Sequence, residues 1–363
     1  MRNDSDEMPP PEPIAAAHAD GMTLETPSRS ASKLRATPRP NRGLERGPDV
    51  DRARLYEDHP VVRNTAMIAT RPVQEAYEIV ARAIVHHDPG TCLIGEFRMG
   101  KTFTLIKIAQ TLEQTFPGLP VGRVNAKGHD KPSERVFYTD LLTDYNHRGA
   151  RTGTTSDRRT RVLHLLRAHA AQLSSNRYLL LVDEGQNWGE AELQVLRDLS
   201  NDLQRLGVDM VTVMFGHPEL HNIRTRLLGR GRTDLIGRFL LTPRAFRGLR
   251  NCDELTHCLQ AYDEAEQHEF PEGSGLSYSA FFLPQAWDCG WRLADEGPRF
   301  WKAISRTAAR SGRTANNVGM SWVTGAIRNF YFSQAPLDGL GFVGTQDAWN
   351  LAVEHSGYEA SLV

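Results

Sequence analysis

Eight consecutive residues, Gly95-Glu96-Phe97-Arg98-Met99-Gly100-Lys101-Thr102, satisfy the spacing G-x-x-x-x-G-K-[ST] at every fixed position. Glycines at those positions let backbone N–H groups turn toward phosphate oxygens. A helix starting at the lysine adds partial positive charge at the same point. Lys101 would neutralise the β- and γ-phosphates of a nucleotide, and Thr102 would hold Mg²⁺ through its hydroxyl. The flanks agree with this chemistry. Thr91-Cys92-Leu93-Ile94 is a short apolar run, and the stretch from Phe103 to Leu112 is apolar at helical spacing. Strand, glycine loop and helix form the arrangement that phosphate binding needs.

A second group lies downstream in Tyr178-Leu179-Leu180-Leu181-Val182-Asp183-Glu184. Apolar residues ending in two acids predict a buried parallel strand that delivers carboxylates at its C-terminal edge. Asp183 would reach the metal, directly or through water, and Glu184 would polarise an attacking water. Taken alone, the segment leaves open a strand end with solvated acids. Paired with the glycine loop, it points to hydrolysis of ATP with Mg²⁺.

The elements that must position these groups follow a consistent order. The chain has 363 residues, enough for about two domains. The segment 1–58, with Pro9-Pro10-Pro11 and scattered Ser, Thr and Pro, offers little to bury and is expected to be a disordered tail. Its Arg29, Lys33, Arg35, Arg39, Arg42 and Arg46 either form a solvated linker or touch nucleic acid or a partner. A nucleotide-binding domain is expected over 59–247. Within it Val73–Val85 has helical spacing, Pro120–Asn125 predicts a strand, and Ser133 caps a helix to Leu142. A Gly/Arg/Thr-rich loop is expected from Arg148 to Arg159, then a helix from Arg161 to Leu173. Glu190–Leu203 predicts an amphipathic helix, and Val208–His217 a buried strand with a polar end. Arg238 lies ahead of a short apolar strand. Residues 248–330 read as a helical domain in which Gly297-Pro298-Arg299-Phe300 opens a helix. Residues 331–363, without Lys or Arg, read as a partly ordered tail. Alternating helices and apolar strands are the pattern of a parallel α/β sheet.

Composition sets limits. The net charge of -1 means that any affinity for nucleic acid must be local rather than global. No apolar run reaches membrane-spanning length, and the first residues lack an apolar signal core, so a cytoplasmic protein without a membrane role is expected. Cys92, Cys252, Cys258 and Cys289 have no C-x-x-C spacing, which argues against a zinc knuckle or a disulfide framework.

The order of glycine loop, Asp-Glu strand, polar-ended strand, Arg238-Phe239 and late Gly-Pro-Arg resembles the AAA+ ATPase core, a P-loop NTPase with a parallel sheet and a small helical lid. The resemblance covers residues 60 to 330. It implies that His217 senses the γ-phosphate, though before Pro218 it could instead merely cap the strand. It implies that Arg238 reaches into a neighbouring subunit's ATP. Arg224, Arg226, Arg230 and Arg232 compete for that role, and Arg238 could instead pair with Asp234. It also implies that Arg299 contacts nucleotide from the lid.

Within AAA+, three phrases resemble transposition regulators of the TniB/TnsC type. They are Lys131–Leu142, Asp183-Glu184-Gly185-Gln186-Asn187-Trp188, and Leu196–Leu203 running into Val213–Leu220. Gly185 departs from the more usual alanine. That resemblance implies a homo-oligomer, ring or helical filament, on double-stranded DNA, handing DNA to a transposase or target-selector protein. Candidate phosphate contacts are Lys127, Lys131 and Arg135, with Arg148, Arg151, Arg158 and Arg159 in the following loop. Two alternatives remain open: a signalling or defence NTPase that acts as a protein switch, and a replication-initiator-like DNA loader. A small-molecule kinase does not account for the Arg-Phe and Gly-Pro-Arg pattern.

Overall fold

The computed structural model describes residues 49–362, so the basic residues between Arg29 and Arg46 lie outside the described residues. Helices α1 (Asp49–Asp58) and α2 (Arg71–Val85) precede β1 (Gly90–Ile94). The glycine loop leads into α3 (Lys101–Thr115), β2 (Val121–Asn125), α4 (Glu134–Asp144), α5 (Thr155–Gln172) and β3 (Arg177–Asp183). Next come α6 (Glu190–Arg205), β4 (Asp209–Gly216), α7 (Glu219–Gly229), α8 (Thr233–Phe239) and β5 (Arg244–Ala245). The later helices are α9 (Cys252–Asp263), α10 (Tyr278–Phe282), α11 (Pro284–Asp288), α12 (Gly297–Arg310), α13 (Met320–Gln334) and α14 (Gln346–Ser356).

The strands pair in the order β2-β3-β4-β1-β5, and every pairing is parallel. Alternate residues of β3 serve opposite faces, as the pleat requires. Tyr178, Leu180 and Val182 join the cluster under α4, α5 and α6, whereas Leu179 and Leu181 pack with α2 and α3. Helices therefore cover both faces, which explains why the strands are apolar throughout rather than alternating. β4 lies between β3 and β1, with Val182 opposite Met214 and Ile94 opposite Gly216. The carboxyl ends of these three strands are thus level, and the crevice there is where such sheets bind ligands.

Four sequence expectations change. First, α5 starts at Thr155, not near Arg161. Thr154 accepts from Asp157 N while Asp157 accepts from Thr154 N, a capping box that sets the start inside the expected loop. Second, Arg238 sits on α8, and the short strand that follows is Arg244–Ala245. Third, the expected tail 331–363 is structured as far as Leu362. Thr345 caps α14, and Trp349 is fully buried, stacked on Phe300 and Phe330. The apolar spacing Trp349, Ala352, Val353 could have revealed it. Fourth, residues 49–58 form α1, and Leu55, Tyr56, Val61 and Ile68 pack with the helices after β5. That helical unit therefore takes in residues on both sides of the sheet domain, and the boundaries 59 and 330 do not separate it.

Candidate active site

The glycine loop closes over the end of β1. Gly95 N donates to Gly216 O, and Gly100 adopts φ +96°, which favours glycine because it has no Cβ. The N–H groups of Glu96, Phe97, Arg98, Met99 and Gly100 have no protein acceptor among the described residues. They line the approach to the N-terminus of α3, which is a ready anion site. Lys101 is buried, and its Nζ donates to Gly95 O at 2.8 Å and Glu96 O at 2.9 Å, holding the ammonium inside the loop. Burial pulls this ammonium below its ordinary value, against Glu184, Asp183 and Glu96, which favour its charge. Thr102 Oγ1 donates to Asp183 Oδ2 at 2.6 Å. Burial raises the Asp183 carboxyl, opposed by the bonds from Thr102 and from Glu184 N. Two hard oxygen ligands beside a cluster of free N–H donors fit Mg²⁺ and a polyphosphate. The structure thus brings Lys101, Thr102 and Asp183 together at the ends of β1 and β3.

Beside the loop lies a largely apolar cavity lined by Ile68, Val73, Met99, Phe103, Phe246 and Met320. Thr70, also in its wall, is buried with a hydroxyl that has no partner among the described residues. Met99 and Phe103 belong to the stretch read from the sequence as nucleotide-binding, whereas Ile68, Phe246 and Met320 come from separated segments and carry no local signal. The cavity suits the planar, apolar body of a nucleobase.

Glu184 follows β3 in a left-handed conformation, φ +53°. Its Oε2 accepts from Gln186 Nε2 at 2.5 Å, and Gln186 Oε1 accepts from His217 N at 2.9 Å. His217 lies just past β4, its ring stacked on Phe97 at 4.2 Å with Nε2 3.3 Å from Glu96 Oε2. It therefore does more than cap the strand, since it touches the phosphate loop. Nothing in the local sequence marks Gln186 beyond its place after Asp183-Glu184. Its two-sided role required knowing that β3 and β4 are adjacent.

Arg299 is placed elsewhere. It pairs with Glu296 at 3.3 Å, its backbone carbonyl accepts from Gln346, and it lines none of the cavities beside the glycine loop. The lid element that meets the loop is the start of α13. Ser321 N donates to Arg98 O at 3.1 Å, and the Arg98 guanidinium lies over Trp322 at 4.9 Å. The expected nucleotide contact of Arg299 is thus not supported by its surroundings. Arg238 does not pair with Asp234, which is taken by Arg197 and Arg232. It donates instead to Asn201 Oδ1 at 2.8 Å on α6 and is half-buried. Among its competitors, Arg230 and Arg232 bind Glu190 and Arg224 donates to Leu240 O, while exposed Arg226 has no ion pair among the described residues.

The proposed DNA cations divide into two sets. Lys127 is held by Asp144 at 3.0 Å and Asp140 at 3.7 Å. Arg158 is 4% exposed and donates to Arg151 O, Thr152 O and Thr139. Arg159 binds Asp202 and Glu134. These three are occupied in fastening α4, α5 and α6, and Arg158 is not on the surface, because α5 begins earlier than expected. Lys131, Arg135, Arg148 and Arg151 are exposed and make no ion pair among the described residues. They lie in or next to the connections flanking α4, beyond β2.

Comparison with known proteins agrees with this geometry. A family model described as AAA domain matches residues 85–223. No curated protein matches the chain in sequence. Among solved structures, the ORC2 protein of Aeropyrum pernix in ADPNP-ADP complexes is similar with a TM-score of 0.56 at 13% identity, covering 83% of this chain and 72% of that chain. Domain III of the replication initiation protein DnaA from Thermotoga maritima gives a TM-score of 0.41 at 13% identity, covering 79% and 93%. Drosophila ORC bound to DNA gives 0.34 at 15%, covering 90% and 87%. The chain therefore has the AAA+ P-loop NTPase fold, a five-stranded parallel sheet between helices. Among the described residues, no helix is long and apolar enough to cross a membrane.

Proposed function

We propose that this protein is a Mg²⁺-dependent ATPase that assembles on duplex DNA in its ATP-bound form. The observation that carries nucleotide binding is the cluster of free N–H groups around buried Lys101, with Thr102 and Asp183 in contact beside it. Bound Mg²⁺ would draw charge from the phosphates. For their part, Lys101 and the loop N–H groups hold the phosphates, Asp183 orients Thr102, and Glu184 takes up a proton from water. Arg238, on α8, or Arg226 would complete the site of a neighbouring protomer. DNA contact falls to Lys131, Arg135, Arg148 and Arg151, four free cations that an oligomer would repeat along the phosphate backbone. Affinity would then be salt-sensitive and weakly sequence-selective.

Support for a transposition regulator that hands DNA to a transposase comes from the three sequence phrases alone. The fold shared with ORC2 favours a second reading, a loader of the replication-initiator kind. Both predict the same first result: duplex DNA of random sequence is bound at low salt with ATP and released with ADP. Absence of any ATP-dependent affinity for duplex would remove both and favour a protein switch. A pull-down from the native host, probing for a transposase against a helicase, separates the two.

A further inference from the structure

Gln186 lies in the short turn after β3 and joins two parts of the site. Its amide can be oriented from chemistry alone. His217 N–H can only donate and an ionised Glu184 carboxylate can only accept, so Oε1 must face His217 and Nε2 must face Glu184. The approach is tight. A Cβ on Gly216 would clash with Leu220 Cδ1 and stand 3.0 Å from Gln186 Oε1, so glycine at the end of β4 leaves room for both side chains. The turn itself is anchored, since Asn187 Nδ2 donates to Ala126 O at 2.9 Å and Trp188 is buried against Phe137.

We propose that Gln186 is the positioning residue for Glu184, tying the water-polarising carboxylate to the strand end that touches the phosphate loop. Holding Oε2 leaves Oε1 as the oxygen that accepts a proton from water. The other end of the tie is the backbone of His217, whose ring stacks on Phe97 and approaches Glu96. A shift of the loop against His217 would therefore move Gln186 and with it the carboxylate. The role assumes the ATP hydrolysis proposed above.

Steady-state ATPase assays on the full chain test it, with wild type, Glu184→Gln, Gln186→Met and Gln186→Glu compared. Gln186→Met keeps the length of the side chain and removes both bonds. It should lower kcat roughly ten- to a hundredfold, part of what a general base supplies, with KM and ADP affinity within about twofold. Gln186→Glu keeps an acceptor for His217 N but offers no donor to Glu184, so its kcat should fall as in Gln186→Met. A kcat within about twofold of wild type in either variant overturns the proposal. Parallel loss of kcat and nucleotide affinity in both variants also overturns it, by making Gln186 a brace for the loop. A wild-type protein that binds ATP and never hydrolyses it would instead defeat the hydrolysis assignment, and this proposal with it. Wild-type turnover abolished by Glu184→Gln but indifferent to Gln186 would defeat this proposal alone.

Discussion

Arg247 joins the sheet domain to the helical unit, and its removal should be the most damaging single charge change outside the nucleotide site. It follows Phe246 of the base cavity and is buried. Nε and Nη2 donate to Glu75 on α2 at 2.9 and 2.7 Å, and Nη1 and Nη2 donate to Glu254 on α9 at 2.7 and 2.8 Å. Nη1 also donates to Gly248 O, so all five N–H groups of the guanidinium are used. Burial works against its charge, yet Glu254 and Glu75 outweigh it and hold its pKa above the ordinary value. Arg247→Ala leaves two carboxylates facing each other. The Glu254 side chain is only 17% exposed, whereas that of Glu75 is 37% exposed and recovers hydration. Breaking a buried pair from one side costs about 3–5 kcal/mol. At about 2–4 °C per kcal/mol in a domain of this order, Tm should fall by roughly 6 °C or more. Arg247→Lys, a point charge without the fork, should fall between. The ranking should be Arg247→Ala, then Glu254→Ala, then Glu75→Ala, read by calorimetry at neutral pH. Burial raises the Glu254 carboxyl but the bonds from Arg247 lower it further, to a net value below the usual one. Its share is therefore present above about pH 4.5 and lost as pH falls. An Arg247→Ala protein melting within about 1 °C of wild type would refute the clamp.

Replacing Lys131 and Arg151 together should weaken duplex binding for all sequences and reduce the log–log salt slope by about 0.9 per lost contact, with ATP affinity unchanged. An unaltered slope in fluorescence anisotropy would exclude both residues from the interface. Arg238→Ala should leave nucleotide affinity intact while lowering hydrolysis and assembly, and mixing it with Lys101→Ala should restore some turnover; normal assembly by light scattering would transfer the role to Arg226. Burial holds buried His59 down at about 3, within a cage of Phe270, Tyr278, Phe281 and Phe282. Between that value and about 6.5 the unfolded chain binds a proton that the folded chain excludes, so stability should decline as pH drops below about 6.5. His59→Phe should flatten that decline in thermal melts between pH 7 and 5, and an unchanged slope would place the effect elsewhere.

The parts of the site legible in the sequence were those written in contiguous residues. The glycine loop and the Asp183-Glu184 strand end declare their chemistry by local spacing, and their apolar flanks declare a parallel sheet. A Gly-Pro-Arg helix start points to Arg299 by local pattern, whereas the choice of helix that faces the loop is not local, and here it is the start of α13. That choice depends on α14, which closes the helical core through Trp349 and lies in a segment without Lys or Arg. Lys127, Arg158 and Arg159 read as free because their partners, carboxylates on α4 and α6 and carbonyls of the α4–α5 connection, meet them only in the folded chain. Gln186 and Arg247 escaped notice for a related reason, since each joins elements that are adjacent only in the folded sheet or across the lid junction.

The most direct test is calorimetric titration of Mg²⁺-ATP into wild type, Lys101→Ala and Glu184→Gln, with hydrolysis followed on the same samples. One nucleotide site formed by the ends of β1, β3 and β4 predicts three distinct results. Wild type binds and hydrolyses, Lys101→Ala loses binding, and Glu184→Gln binds as wild type does but turns over at least about a hundredfold more slowly. Wild-type affinity in Lys101→Ala, or unchanged turnover in Glu184→Gln, would contradict the account.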